Sequence, residues 1–207
     1  MSRTIIVRTI VVLGSMFVLL ALAAAAQESR SEISVQGTGF FTSGSSGNGT
    51  AYSTTETGGV LGTYRYHLNR WAAVEGAYGY DLNSQKYVMS SSAFRVQTGI
   101  HQLTGDLVLR LPSRASSRLN PYVLAGGGAL FFEPTGNLNN TVSGAQSQAK
   151  GVFVYGVGVN YALRKRISLR VEYRGLVYGT PDFGLTGFST GSITHTAQPS
   201  VGLAFRF

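Results

Sequence analysis

The sequence contains no cysteine, so neither a disulfide framework nor a thiolate metal site is open to it. Charge is sparse. Asp, Glu, Lys and Arg make up 13% of the 207 residues, about half the share of a soluble domain. Acidic residues are the scarcer kind, nine against 17 basic ones, which leaves a formal net charge of +8. That excess is scattered. The longest basic run is Arg164-Lys165-Arg166, with no interleaved aromatic motif, so nucleic acid is not an expected partner. Only His67, His101 and His195 offer imidazoles, and none has a metal-ligand or triad partner at a telling spacing. No serine sits in a Gly-x-Ser-x-Gly turn. Gly156-Val157-Gly158 is a fragment of a dinucleotide motif, but it lies inside a strand pattern with no helix after it. No catalytic residue, cofactor or metal is therefore expected, and the chain does not read as an enzyme.

What is abundant is glycine and aromatics: 27 Gly, 11 Tyr and 11 Phe, with 43% hydrophobic residues overall. Few charges with many glycines and aromatics imply β-structure with one face in a non-aqueous solvent.

The N-terminus reads as an export signal. Arg3 and Arg8 form a positive start, Ile10 to Leu22 an apolar stretch, and Ala24, Ala25 and Ala26 the small residues of a cleavage site before Gln27. An uncleaved membrane helix is the competing reading, since the apolar run approaches spanning length. The polar Gln27-Glu28-Ser29 directly after the alanines favours cleavage. Residues 1–26 are thus expected to be a signal peptide and 27–207 the mature domain, with a net charge of about +6. No later stretch is apolar enough for a helical span. A mature chain in a membrane must then be a closed barrel, which alone satisfies every strand's backbone groups.

Period-two alternation runs to the last residue. Ile167, Leu169, Val171 and Tyr173 alternate with Ser168, Arg170, Glu172 and Arg174. Before them, Phe153, Tyr155, Val157, Val159, Tyr161 and Leu163 alternate with Val152, Val154, Gly156, Gly158 and Asn160. The final segment sets Val201, Leu203, Phe205 and Phe207 against Gly202, Ala204 and Arg206. Earlier segments are noisier: Tyr64, Tyr66 and Leu68 against Arg65 and His67; Val74, Tyr78 and Tyr80 against Ala73 and Glu75; Leu107, Leu109 and Leu111 against Asp106, Val108 and Arg110. Pro121 to Phe132 is apolar and Gly-rich on both faces and has no assigned facing. The first strand, around Ile33, Val35 and Phe41, is the faintest.

Short connections at Asn69-Arg70, Pro112 to Pro121 and Arg164 to Arg166 alternate with longer Ser/Thr/Gly/Asn-rich segments at Thr42 to Thr57, Asp81 to Ala93, Glu133 to Ala149 and Gly179 to Ile193. That alternation predicts an all-β, antiparallel up-and-down transmembrane barrel of about eight strands.

On these residues the chain resembles the small eight-stranded outer-membrane barrels, the OmpA membrane domain and its relatives, over essentially all of Gln27 to Phe207. The terminal Phe207 preceded at alternate positions by Val201, Leu203 and Phe205 looks like that class's assembly signal. Arg170-Val171-Glu172-Tyr173-Arg174 resembles its penultimate strand, and Pro121 to Gly128 a central one. The resemblance implies residence in the outer membrane of a Gram-negative-type bacterium, contact with its lipid, the barrel-assembly machinery as a partner in biogenesis, and a monomer. Unlike full-length OmpA, no peptidoglycan-binding domain follows Phe207, so no cell-wall tether is expected. The competing fold is a soluble barrel of lipocalin type. Against it stand the scarcity of Lys and Glu on the faces, aromatics toward strand ends as in interfacial girdles, and the terminal phenylalanine. Lipid A deacylases resemble this fold and use a lipid-facing His with a Ser two residues on. Here Ala197 stands two residues after His195, so that activity lacks its nucleophile.

The remaining constellation is internal. Arg65, Glu75, Asp106, Arg110, Arg170, Glu172, Arg174 and Arg206 share the face opposite the apolar one. If Lys165 centres its turn, Asn160 lies opposite Arg170, Gly158 opposite Glu172 and Gly156 opposite Arg174, the glycines leaving room for the charged side chains. If Arg70 centres the earlier turn, Arg65 lies opposite Glu75. Glu172 is expected to meet Arg170, Arg174 or Arg110. Buried charges must be paired, and eight-stranded barrels have interiors just wide enough for side chains. The expected function is a structural or surface-binding role through the outer loops, around a lumen plugged by ion pairs. The alternative is a narrow porin-like passive channel. The loops carry no motif that names an extracellular ligand.

Overall fold

The computed structural model describes residues 30–47, 50–89, 92–112, 118–135, 146–184 and 191–207. Ala24, Ala26 and Gln27, the residues expected around a signal cleavage site, lie outside the described residues. Among the described residues ten strands occur: β1 (Ser31–Thr42), β2 (Ser45–Gly47), β3 (Thr50–Thr54), β4 (Thr57–His67), β5 (Ala72–Met89), β6 (Ser92–Arg110), β7 (Leu119–Pro134), β8 (Gln148–Ala162), β9 (Ile167–Gly179) and β10 (Ile193–Arg206). Among the described residues no helix is long and apolar enough to cross a membrane.

Eight strands close an antiparallel barrel in the order β1-β4-β5-β6-β7-β8-β9-β10. Closure rests on β1, whose Ile33 pairs with Tyr64 of β4 on one side and Phe205 of β10 on the other. Closure leaves no unpaired backbone edge to lipid. The short turns fix the register. The Asn69 Oδ1 accepts the backbone N–H groups of Trp71 (2.7 Å) and Ala72 (2.8 Å), a side-chain-built turn. It sets Arg65 opposite Glu75. At the next short hairpin Leu163 and Arg164 both donate to the Ile167 carbonyl at 3.0 Å, and Asn160, Gly158 and Gly156 face Arg170, Glu172 and Arg174.

Parity then sorts every strand. Val35, Leu103, Val157, Val171, Val201 and Leu203 point outward and are exposed. Aromatics flank this aliphatic belt, with Trp71, Tyr161 and Phe205 near the short turns and Phe41, Phe131, Phe153 and Tyr155 near the loops. An apolar band between aromatic girdles is the surface a bilayer demands.

The structure departs from the sequence expectation in two segments. Asp81 to Ala93 is not a long loop: β5 and β6 stay paired from Ala72↔Leu109 to Met89↔Ser92. This hairpin outruns the lipid, so its outer part has no need of alternating hydrophobicity and gives no strand signal. Thr42 to Thr57 holds the β2–β3 hairpin, and β3 adds to the outer part of β5 from Thr50↔Met89 to Thr54↔Gln85. The unassigned segment, β7, turns Tyr122, Leu124, Leu130 and Phe132 inward.

Candidate functional site: the charged interior

The interior is layered along the barrel axis. In the half nearer the short turns, Glu75 of β5 is the hub. It accepts from Arg65 Nε at 2.8 Å, Arg170 Nη1 at 3.1 Å and Arg174 Nη2 at 2.5 Å. Arg174 also donates to Glu172 Oε1 at 2.6 Å and Asp106 Oδ2 at 2.9 Å. Arg170 donates to Glu32, to Asn160 Oδ1 at 3.0 Å and to Thr63 Oγ1 at 3.1 Å. The side chains of all three arginines are at most 1% exposed. Burial at this depth requires pairing, since an isolated charge in a low-dielectric site costs far more than any single contact returns.

Tyr122 caps the cluster. Its hydroxyl donates to Glu172 Oε2 at 2.5 Å, and the Arg65 guanidinium lies 4.2 Å from its ring centroid. The glycine opposite Glu172 serves this ring, not the charged side chains. A Cβ on Gly158 would stand 2.4 Å from the Tyr122 ring, and one on Gly156 would meet the Tyr173 carbonyl at 2.4 Å and Leu124 at 3.2 Å. The space left by the glycines is filled from β7, whose facing the sequence did not disclose.

Of the expected internal residues, Arg65, Glu75, Asp106, Arg170, Glu172 and Arg174 converge. Glu172 meets Arg174 and, at 3.7 Å, Arg65; it makes no ion pair with Arg170 or Arg110. Arg110 stands apart at the short-turn mouth, against His67, and Arg206 beside it reaches the cluster through Glu32. Glu32 was not singled out in the sequence, yet Arg170, Arg65 (3.9 Å) and Arg206 (3.7 Å) gather on it. Its signal was the inward series Glu32, Ser34, Gln36 and Thr38 against Ile33 and Val35, obscured by the glycines that follow.

Toward the loops an apolar cluster shares the interior with buried polar side chains, among them Asp81, Gln102, Thr196 and Gln198. Phe40, Ile100, Leu130, Phe132, Val154, Leu176 and Tyr178 pack with Phe183, which is fully buried although it follows β9 in the outer connection. Gln148 on β8 holds that connection, donating to Asp182 Oδ1 at 2.7 Å and accepting from the Asp182 amide at 2.9 Å. Burial alone would push the Asp182 carboxyl up, but the Gln148 amide, the Gly184 N–H and nearby Lys150 hold it below the usual carboxylate range.

On the outer face His195 is half-buried and shares a hydrogen bond of 3.0 Å with the Tyr155 hydroxyl. His101 pairs likewise with the Tyr78 hydroxyl at 2.8 Å. Ala197, two residues after His195, offers no nucleophile. Among the described residues no group of three or more His, Cys, Asp or Glu is placed to hold a metal. Phe205 and Phe207 stack with ring centroids 6.1 Å apart, in line with outward Val201 and Leu203.

No curated protein sequence matches the chain. Solved structures do resemble it in fold. OprG from Pseudomonas aeruginosa aligns with a TM-score of 0.58 at 15% identity, over 87% of this chain and 97% of its own. Neisserial surface protein A gives 0.55 at 14% identity, over 86% and 98%. Ail, the attachment invasion locus protein of Yersinia pestis, gives 0.50 at 17% identity, over 87% and 100%. The profile of the outer membrane protein β-barrel domain matches residues 12–207. With its closed eight-stranded barrel and lipid-facing belt, the chain belongs to the outer membrane protein β-barrel domain family and resides in the bacterial outer membrane.

Proposed function

We propose that the protein is a closed scaffold of the outer membrane: its interior is a packed ionic plug, and its outer loops form a contact surface. The observation that carries this reading is the reach of the ion pairs. In the ring of eight, β5 and β9 are four strands apart in either direction, so Arg170–Glu75 and Arg174–Glu75 span the full barrel width. Above them Phe183 and its apolar neighbours fill the loop end. Ions crossing such an interior would have to break buried pairs and then pass a packed layer of apolar and hydrogen-bonded polar side chains.

The contact surface is built rather than slack. A membrane-crossing strand needs about 9–11 residues, whereas β5 has 18 and β6 has 19. Their surplus, with β2 and β3, forms an ordered sheet beyond the lipid. In this class the long loops face outward and the short turns face the periplasm. The same reading takes residues 1–26 as a cleaved signal peptide, residues 27–207 as a monomeric barrel, and Val201, Leu203, Phe205 and Phe207 as the signal read by the barrel-assembly machinery. No hydrolytic constellation supports an enzyme.

Conductance in planar bilayers tests the plug. The purified protein is expected to give no steady current, and a reproducible open level would favour the channel reading instead.

A further inference from the structure

Arg110 ends β6 at the periplasmic mouth. Its backbone N–H donates to the Trp71 carbonyl at 2.7 Å, which turns the half-buried side chain toward His67. There its Nη2 lies 3.3 Å from both imidazole nitrogens. A neutral imidazole has one acceptor nitrogen, and Arg206 Nη2 already sits 2.7 Å from Nε2. Equal spacing to both ring nitrogens is therefore a contact against the ring, not a second good hydrogen bond. Among the described residues no carboxylate comes within 4.0 Å of Arg110.

The charge balance says the same. In this half of the interior five guanidinium groups (Arg65, Arg110, Arg170, Arg174, Arg206) face four carboxylates (Glu32, Glu75, Asp106, Glu172). Glu32, the acid nearest the mouth, is shared by Arg170, Arg65, Arg206 and His67. Asp81 is no help: it lies six residues beyond Glu75, about 20 Å along the strand, where the Thr38 hydroxyl donates to it. One positive charge is left over, and Arg110 carries it.

That charge borders a cavity of about 270 Å³ walled by His67, Arg110, Arg206, Arg30 and Arg70. A smaller one of about 100 Å³, which Glu32 also lines, connects Arg110 and Arg206 to the exposed Arg164-Lys165-Arg166 turn. We propose that this periplasmic mouth is an anion site that takes a phosphate group, with Arg110 and Arg206 as its inner donors and Arg30 and Arg70 as its rim. Guanidinium forks match tetrahedral oxyanions through paired N–H donors, and a bound phosphate supplies the counter-charge that the interior lacks. The phosphate group belongs either to a small soluble ester or to the headgroup of an inner-leaflet phospholipid.

Trp71, the sole tryptophan, reports on the site, because Arg70 lies 5.2 Å from its ring centroid. The full mature chain, folded in an uncharged maltoside detergent, is titrated at fixed ionic strength with inorganic pyrophosphate. In a second arm phosphatidylglycerol is doped into the micelles, with diacylglycerol as the uncharged control. A saturable change in Trp71 emission is expected in at least one arm, and the arm that responds identifies the source. Arg110→Gln is expected to weaken that binding at least about tenfold, the equivalent of one charged hydrogen bond, while Lys86→Gln at the far end leaves it unchanged. Should Arg110→Gln not fold, Arg70→Gln on the exposed rim is read in its place and is expected to weaken binding several-fold. The absence of a saturable response in both arms overturns the proposal, as does unaltered affinity in the arginine variant that is read.

Discussion

Arg174 Nη2 donates to Glu75 Oε1 at 2.5 Å although their strands lie on opposite walls of the barrel. The contact joins residues 99 positions apart and shares its carboxylate with Arg65 and Arg170. A hub of this kind concentrates the cost of any single loss.

Glu75→Ala leaves Arg65, Arg170 and Arg174 facing one another without their common counter-ion. Removing one partner of a buried pair costs about 3–5 kcal/mol. The variant is expected to unfold at markedly lower urea, followed by the gel-mobility shift between folded and unfolded barrel. Glu172→Ala, which strips Arg174 and Tyr122 of an acceptor and Arg65 of an ion pair, should fall in the same range. Unchanged stability of both would place these carboxylates in open water.

Tyr122 and Gly158 form a matched pair. Tyr122→Phe keeps the ring over Arg65 but deletes the donor to Glu172, a loss of about 1.5–3 kcal/mol for a hydrogen bond to a charged group. Gly158→Ala forces the ring aside and should cost about 1–3 kcal/mol by overpacking. Because the two act on one contact, the double variant is expected to lose less than the sum. Strict additivity in urea unfolding would show that the ring and the glycine do not cooperate.

The outer connection should respond to acid. The Asp182 carboxyl is held low by Gln148, Gly184 and Lys150 against the upward push of burial. A depressed folded-state pKa stabilises the contact fully above the unfolded value of about 3.9 and loses it as pH falls through the lower folded value. NMR resonances of Phe183 and Gly184 are therefore expected to be constant from neutral pH to about 5 and to shift below about 4. Asp182→Asn should remove that titration; an unaltered acid response in the variant would assign it to another group.

Export is predicted to expose Gln27 as the first residue of the mature chain, within a residue or two. Mass spectrometry of envelope fractions checks this, and recovery of the intact Met1 form would contradict it.

Assembly is predicted to depend on Phe207, whose ring extends the outward Val201, Leu203, Phe205 series. Phe207→Asp or deletion of the residue should sharply reduce outer-membrane levels in fractionated cells. Normal levels of either variant would remove the proposed signal role.

The sequence by itself determined the strand faces wherever lipid opposes a polar interior, because parity has period two and the solvents on either side differ. It also determined the pairs beside short turns, such as Arg65 with Glu75 and Asn160 with Arg170, since a tight turn leaves little freedom in register. The outer part of β5 and β6 was illegible: beyond the bilayer both faces meet water, and alternation carries no information. Only the tertiary structure decided which charges meet across the lumen. Arg174–Glu75, the gathering of arginines on Glu32 and the separation of Arg110 all follow from barrel closure and tilt, which bring opposite walls together without leaving a mark in any local pattern. The burial of Phe183 was decided the same way, by a connection folding back over a cavity that exists only once eight strands have closed around it.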